Sequence, residues 1–402
     1  SFGEGYLGCL GQPNYGDLDA AAPLPALHGV PVVAASAGWG HTALVTGDGQ
    51  LLVCGRTHDF ANTLRQINLM RGPSWLANAI NYVSDVIVGV NLEPAAVELP
   101  PDVAVADVVC SPGSLTVALS TTGQVLCYGS NDHGQCGVGY LSPSVYEPTA
   151  VDGLTASRVA AGFQHALAVT PDGRLFAWGR GDRGQLGLGD REAYKSPLQV
   201  LGAGRSLEAT AVTDVAAGFS HSAVLTEDGG VWVFGKMQSG KVSDEGRRVH
   251  DQLAPLRVEL PTDAAPVAVS CGQAHVCVLT DDGTAWMRGL RGRGVWHDDT
   301  GTPPDDYCLR VMDPGNRLTP GDLMQFEPVP VPLNHLLNGA TVASLSSGVH
   351  HSYAVLSDGR VLQWGWRLRA VELEAVKGVA VTTLSQGFGH TVVLGEAEPV
   401  SP

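Results

Sequence analysis

The sequence predicts an all-β protein, a seven-bladed β-propeller of four-stranded blades. Three observations predict it: a phrase of about twenty residues recurs along the chain, 51 of 402 residues are Gly, and only 16% are charged. Glycine at that frequency suits many tight turns, and so few charges leave little to clothe long solvent-facing helices. With 44% hydrophobic residues the chain can bury a large core. Four hundred residues exceed one simple two-layer core, but a ring of small repeated sheets accommodates them.

Each copy of the phrase holds an apolar stretch, Gly-x-x-His, an apolar strand, an Asp-Gly turn and a strand ending in Gly, usually after an aromatic residue. Copies run over 36–55 (SAGWGHTALVTGDGQLLVCG), 160–179, 216–235, 270–289 and 346–365. A degenerate copy at 110–129 has Leu115 in the His position, and a seventh opens with SQGFGHTVVLG at 385–395. From His41 to His390 is six steps, a mean of about 58 residues, which holds four short strands and their turns. One copy is therefore one blade. Asp48-Gly49, Asp172-Gly173, Asp228-Gly229, Asp282-Gly283 and Asp358-Gly359 supply the positive φ of tight hairpins. The flanking β-branched and aromatic residues supply strand propensity.

The seventh copy lacks its final strand, and the missing piece lies at the other end of the chain. FGEGYLGCLG (2–11) matches WGRGDRGQLG (178–187) and YGSNDHGQCG (128–137). Phe2-Gly3 is expected to complete the last blade, so that the single propeller spanning 1–402 has no open sheet edge at its seam.

The repeated His residues lie one per blade around a ring and cannot converge on an ion, whose ligand atoms lie about 2 Å away. Each is expected to hydrogen-bond nearby backbone and fix its own blade's turn. The repeated Gly38, Gly162, Gly218, Gly272, Gly348 and Gly387 allow close backbone approach. The eight Cys form no C-x-x-C pair and read as reduced, buried thiols. Cys271 takes the small-residue position of Ala37, Ala161 and Ala217.

Two insertions break the spacing. In residues 56–90 a helical pattern is expected near 58–88: Asp59 as cap, Phe60, Leu64, Ile67 and Met70 on one face, a break at Gly72-Pro73, then Trp75, Leu76, Ile80, Val83 and Ile87. Its apolar face packs either on the propeller or on a partner. The second, 290–331, opens with Arg291 and Arg293, carries His297, Asp298, Asp299, Asp305 and Asp306, and ends with Pro328, Pro330 and Pro332. It reads as a long exposed loop, with its acidic stretch solvated rather than holding a cation.

A net charge of −16 argues against nucleic-acid binding over the whole surface and leaves basic protein partners open. No apolar run is long enough for a membrane span. There is no Walker loop, H-E-x-x-H or G-x-S-x-G, so no cofactor, metal or catalytic residue is assigned and the chain is not expected to be an enzyme.

The G-x-x-H strand, Asp-Gly hairpin, Trp-Gly and following G-Q-L-G loop together resemble the regulator of chromosome condensation family, whose members are seven-bladed propellers. The resemblance covers nearly the whole chain. Blade two lacks the His, and the stretches after Gly235 and Gly365 lack the G-Q-L-G loop. The founding member is a guanine-nucleotide exchange factor for a small GTPase, and exchange there relies on acidic and His side chains of these turns. Here the turn pairs are Trp39-Gly40, Gly113-Ser114, Phe163-Gln164, Phe219-Ser220, Gln273-Ala274, Val349-His350 and Phe388-Gly389. Only His350 matches that polar type, and none is acidic. Another member type, the plant UV-B photoreceptor, needs several Gly-Trp-Arg-His-Thr copies. Only Gly38-Trp39-Gly40-His41-Thr42 comes close.

The resemblance therefore implies a non-enzymatic protein–protein interaction scaffold, a subunit or assembly factor of a larger complex inside the cell. Some members serve mitochondrial ribosome assembly, which makes the mitochondrion the expected compartment, with cytoplasm and nucleus as alternatives. The other functional reading is guanine-nucleotide exchange on a small GTPase. Candidate partner-binding residues are the turn residues Trp39, Phe163, Phe219, His350 and Phe388, the rim residues Arg180, Asp182 and Arg183, and Phe60, Leu64 and Trp75 of the first insertion. The aromatic turn residues either project to a partner or pack blade to blade.

Overall fold

The computed structural model describes residues 1–3, 9–13, 16–56, 91–202, 204, 206–236, 251–273, 275–291, 325–332, 340–349, 351–365, 371–377 and 379–397. After β1 (Phe2–Gly3), blade 1 comprises β2 (Val32–Ala37), β3 (His41–Thr46), β4 (Leu51–Gly55) and β5 (Asn91–Ala96). Blade 2 follows with β6 (Val105–Cys110), β7 (Leu115–Ser120), β8 (Gln124–Ser130) and β9 (Ser144–Thr155). Blade 3 is β10 (Arg158–Ala161), β11 (His165–Val169), β12 (Leu175–Gly179) and β13 (Tyr194–Gln199). Blade 4 is β14 (Val212–Ala217), β15 (His221–Thr226), β16 (Val231–Gly235) and β17 (Gln252–Val258). Blade 5 is β18 (Pro266–Cys271), β19 (His275–Thr280), β20 (Ala285–Arg291) and β21 (Gln325–Pro332). Blade 6 is β22 (Val342–Ser347), β23 (His351–Leu356), β24 (Val361–Gly365) and β25 (Val371–Glu372). The last sheet joins β26 (Val379–Gln386) and β27 (His390–Ala397) to β1.

Within each blade the strands pair antiparallel in chain order. The first strands, β2, β6, β10, β14, β18, β22 and β26, lie each against the next, and β26 returns to β2. One register runs through every sheet. The His position pairs with the Gly that ends the third strand: His41↔Gly55, Leu115↔Gly129, His165↔Gly179, His221↔Gly235, His275↔Gly289 and His351↔Gly365. At the seam the pair is Gly3↔His390, so β1 fills the third-strand place as expected. The expectation of seven four-stranded blades is corrected. Six blades have four strands, and the closing sheet has three, because no fourth strand pairs outside β1 among the described residues.

The core is a set of layers between neighbouring sheets. Blades 1 to 3 share a cluster that includes Val45, Val53, Leu115, Val117, Leu126 and Trp178; blades 3 and 4 share Leu167, Leu186, Val224 and Phe234. Second strands are covered on both sides, so every residue of β11 is buried and the strand reads as an unbroken apolar run. The outermost β13 alternates exposed and half-buried residues instead.

Antiparallel order sorts the loops onto two faces. The Gly-x-x-His turns and the third-to-fourth-strand connections lie on one, here the His-turn face. The Asp-Gly turns and blade-to-blade connections lie on the other, the Asp-turn face. In the latter turns the Gly residues named above have φ between 75° and 86°, a region open to glycine. In four of these five turns a Thr two residues before the Asp donates its hydroxyl to the carboxylate: Thr226 Oγ1 to Asp228 Oδ1 at 2.6 Å, Thr280 Oγ1 to Asp282 Oδ1 at 2.7 Å, and likewise Thr46 to Asp48 and Thr170 to Asp172.

The helical pattern expected near 58–88 lies outside the described residues, as do residues 292–324. The long loop expected over 290–331 is corrected at both ends. Leu290 and Arg291 extend β20, and the Pro-rich end is the strand β21, with Met287↔Val331, Gly289↔Glu327 and Arg291↔Gln325 in register. Proline is ordinarily a loop signal, yet an outermost strand tolerates it because alternate N–H groups point away from the sheet.

Candidate functional site

The repeat turn is built around its glycine. A Cβ placed on Gly162 would stand 2.1 Å from Cε1 of His165 and 2.5 Å from the carbonyl oxygen of Gly218 in the next blade. The imidazole thus lies on the Gly Cα, and the turn presses against its neighbour. Backbone bonds fasten that contact: Phe163 N donates to Gly218 O at 3.3 Å, and Phe388 N to Gly38 O at 3.0 Å.

The expectation that each His fixes its own turn through backbone is corrected. The Nε2 atoms of four of them reach the next blade, to the residue that follows its His position. His41 meets Thr116 Oγ1 at 3.0 Å, His165 meets Ser222 Oγ at 2.9 Å, His275 meets Ser352 Oγ at 2.7 Å and His390 meets Thr42 Oγ1 at 2.7 Å. Blade 5 has Val276 there, and His221 turns to the carbonyl oxygen of His275 at 3.1 Å. Thr42 gives its one hydroxyl proton to Cys9 O at 2.7 Å, and Ser222 gives its own to Gln185 O at 2.8 Å. These hydroxyls can only accept from His390 and His165, which therefore carry their proton on Nε2.

Burial pushes His165 and His390 down to about 3, and His221 and His275 to about 4. They are uncharged at neutral pH and serve as staples, not as acid–base groups. Seven cysteines among the described residues are buried and outside any disulfide, and burial pushes the Cys54, Cys110 and Cys277 thiols up to about 12, so these three are unreactive thiols. Cys271 is a packing thiol as expected, 8% exposed. No His/Cys/Asp/Glu group able to hold a metal occurs among the described residues.

The polar and aromatic side chains of interest gather on the His-turn face. Trp39, Phe163, Phe219 and Phe388 are all half-buried, so neither expected alternative holds alone. Phe163 and Phe219 stack across the junction of blades 3 and 4, with centroids 4.0 Å apart and planes at 16°. Phe219 also lines a central cavity of about 160 Å³, with Pro112, Gln273 and Val349. Outside the stack, Arg180 donates from Nε and Nη2 to the two carboxylate oxygens of Asp182, both at 2.8 Å, and from Nη1 to Gln164 Oε1 at 2.6 Å. Burial pushes the Asp182 carboxyl up, but Arg180 outweighs it and holds the group below the usual carboxylate range. Arg183 is exposed beside it, 3.9 Å from Asp182.

His350, Phe60, Leu64 and Trp75 lie outside the described residues, so the structure does not place them. Sequence reasoning missed Arg191, Lys236 and Asp251, which join the blade 3–4 rim. It also missed the hydroxyl residues Thr42, Thr116, Ser222 and Ser352. Their signal was the residue after each His, compared from copy to copy.

The RCC1-like domain model matches residues 1–367. The chain is 31% identical over 350 residues to the secretion-regulating guanine nucleotide exchange factor of Mus musculus, covering 82% of this chain and 65% of that protein. It is 33% identical over 182 residues to the probable E3 ubiquitin-protein ligase HERC3 of Homo sapiens, covering 44% of this chain and 17% of that one. The chain thus spans less than two thirds of either relative. Among solved structures, Prp20p of Saccharomyces cerevisiae superposes with a TM-score of 0.71 at 19% identity, covering 99% of this chain and 91% of that one. That likeness shows the propeller fold.

Proposed function

This chain belongs to the RCC1-like domain family, and on that premise we propose that its propeller is a protein-binding platform, a subunit or assembly factor of a larger complex. The His-turn face carries this reading. It presents the half-buried aromatic turn residues and an ion-paired rim, while His41, His165, His221, His275 and His390 are consumed in holding blades together. Half-buried aromatic side chains on a rigid frame are the usual anchors of protein contacts, because little conformational freedom is lost when a partner covers them. A mitochondrial, ribosome-linked assembly is the proposed setting, supported by the non-exchange use of this fold among family members.

A second reading is guanine-nucleotide exchange on a small GTPase. The likeness to the mouse exchange factor favours it, as does Prp20p, which is described as binding Gsp1p and histones. Against it stand the turn pairs, none of which is acidic. Affinity purification with mass spectrometry, beside a nucleotide-release panel of small GTPases, separates the two. The platform reading expects stoichiometric recovery of a multi-subunit assembly and unchanged release rates. Accelerated release from any of the GTPases at substoichiometric amounts of this protein would overturn it.

A further inference from the structure

One position beyond the Gly that ends each third strand, the blades fall into two groups. Blades 1, 3 and 4 place a cation there, Arg56, Arg180 and Lys236; blades 2, 5 and 6 place Ser130, Leu290 and Trp366. The first turn residue divides the same way: Trp39, Phe163 and Phe219 in the cationic group, Gly113, Gln273 and Val349 in the other. Backbone bonds tie the position after the Gly to the second turn residue on the His-turn face, in blade 2 as well, where Ser130 N donates to Ser114 O at 2.9 Å. Arg56 N donates to Gly40 O, Arg180 N to Gln164 O and Lys236 N to Ser220 O, each at 2.8 Å. In these three blades aromatic ring and cation come together, whereas the sequence of the closing sheet pairs the aromatic Phe388 with Glu4.

Two such units are adjacent in blades 3 and 4, where Arg183 and Arg191 join them. The four cations share two carboxylates, Asp182 and Asp251. Arg191 Nη1 lies 2.7 Å and Arg183 Nη1 3.8 Å from Asp251 Oδ2, while Arg180 and Arg183 hold Asp182. Asp190 at the edge accepts from the Tyr194 hydroxyl at 2.8 Å and from Glu192 N, whose own side chain is exposed. Lys236 feels burial first and then the like charge of Arg183, which together weaken its hold on a proton. A carboxylate arriving here relieves that repulsion.

We propose that this sector binds an acidic protein segment bearing an apolar residue. The apolar side chain would lie against the Phe163–Phe219 stack and the carboxylates on Lys236, Arg183 and Arg180. The inference rests on the platform reading and names its partner's chemistry. Charge complementarity selects the occupant: in a chain of net charge −16, cations gathered around an aromatic pair mark the sector off. A nucleic acid is the less favoured occupant, because Phe163 and Phe219 each have one face covered by the other, which leaves at most their outer faces for a base.

The test is fluorescence anisotropy of the full chain with a labelled peptide of repeated Glu-Glu-Phe-Asp, its Lys-for-acid counterpart and oligouridine. The acidic peptide is expected to bind, more weakly as salt rises, and the others not. Arg183→Glu with Lys236→Glu should weaken binding about tenfold or more without moving the melting temperature, since both side chains are at the surface. Phe219→Ser, checked for folding by circular dichroism, should weaken it as well. No peptide binding, tighter binding of oligouridine, or indifference to the double charge reversal would each overturn the proposal. A purified partner cross-linked only to the Asp-turn face would sink it while leaving the platform reading intact.

Discussion

The junction between blades 3 and 4 and the junction between blades 2 and 3 solve one packing problem in opposite ways. At the first, Gly162 makes room for the His165 ring, which donates to Ser222 in the next blade. At the second, all three residues differ together: Pro112 stands in the Gly position, Leu115 in the His position and Ala166 in the hydroxyl position. Without an imidazole there is no ring for a Gly to accommodate and no donor for a hydroxyl to meet, so Leu115 and Ala166 pack apolar and fully buried. The blade 2 turn is held from within, by Ser111 Oγ accepting from Gly113 N at 2.8 Å and Leu115 N at 3.3 Å. The contrast shows three positions changing together at this junction, whereas between blades 4 and 5 Gly218 and His221 persist over Val276, with His221 bonded to the His275 carbonyl. A buried polar pair is tolerated when complete and replaceable by packing when removed whole; the costly state is the half-made one.

Lowering the pH strains the stapled junctions together and is expected to have the largest effect. The folded-state values of about 3 to 4 for His165, His221, His275 and His390 lie below the ordinary value of 6.5. The unfolded chain therefore binds more protons in between, so this stability is full above pH 6.5 and is lost as pH falls from there toward 3. Melting temperature against pH should decline through that window. A flat profile would mean that the imidazoles are not buried and neutral.

Gly162→Ala comes next, about 3 kcal/mol destabilising by urea unfolding, since the new methyl meets an imidazole and a neighbouring carbonyl oxygen. Ser222→Ala should cost about 2 kcal/mol by the same measurement, because the His165 Nε2 proton and Gln185 O both lose their partner. Transplanting the staple sharpens the comparison most finely. Leu115→His alone should destabilise, and adding Pro112→Gly with Ala166→Ser should recover about 1 kcal/mol through pairwise coupling. Strict additivity of the three changes would show that these positions do not act together.

Much of this architecture was legible in the sequence. The match of FGEGYLGCLG to the loops after other blades located the seam to the residue, with Gly3 opposite His390. The strand pattern was readable because burial on both sides of each second strand leaves continuous apolar runs. Three things were not. The three-stranded closing sheet escaped because a repeat count says how many phrases there are, not how many strands pair. The strand β21 was hidden by its prolines. The partners of the His residues escaped because they lie in the next copy, about 58 residues away, and show only when one position is compared from blade to blade. At the candidate face, residue type was readable, but the stack of Phe163 on Phe219 depends on neighbouring turns meeting in space. The cations of the rim looked like ordinary solvated charge until Lys236, Arg191 and Asp251 were placed beside them.

The bonds that His41, His165, His275 and His390 make to the blade ahead give those blades an address. Each of these fits in front of a blade that offers Thr or Ser at the receiving place; blade 4 meets Val276 and turns His221 to the His275 carbonyl, and blade 2, with Leu115, is matched to the Ala166 of its successor. Shuffling blades within the wheel, or grafting one from a homologue into the wrong slot, would leave a donor facing a methyl or a hydroxyl facing a leucine. The order of the repeats is thereby written at their seams as well as along the polypeptide, which makes the wheel far less modular than its symmetry suggests.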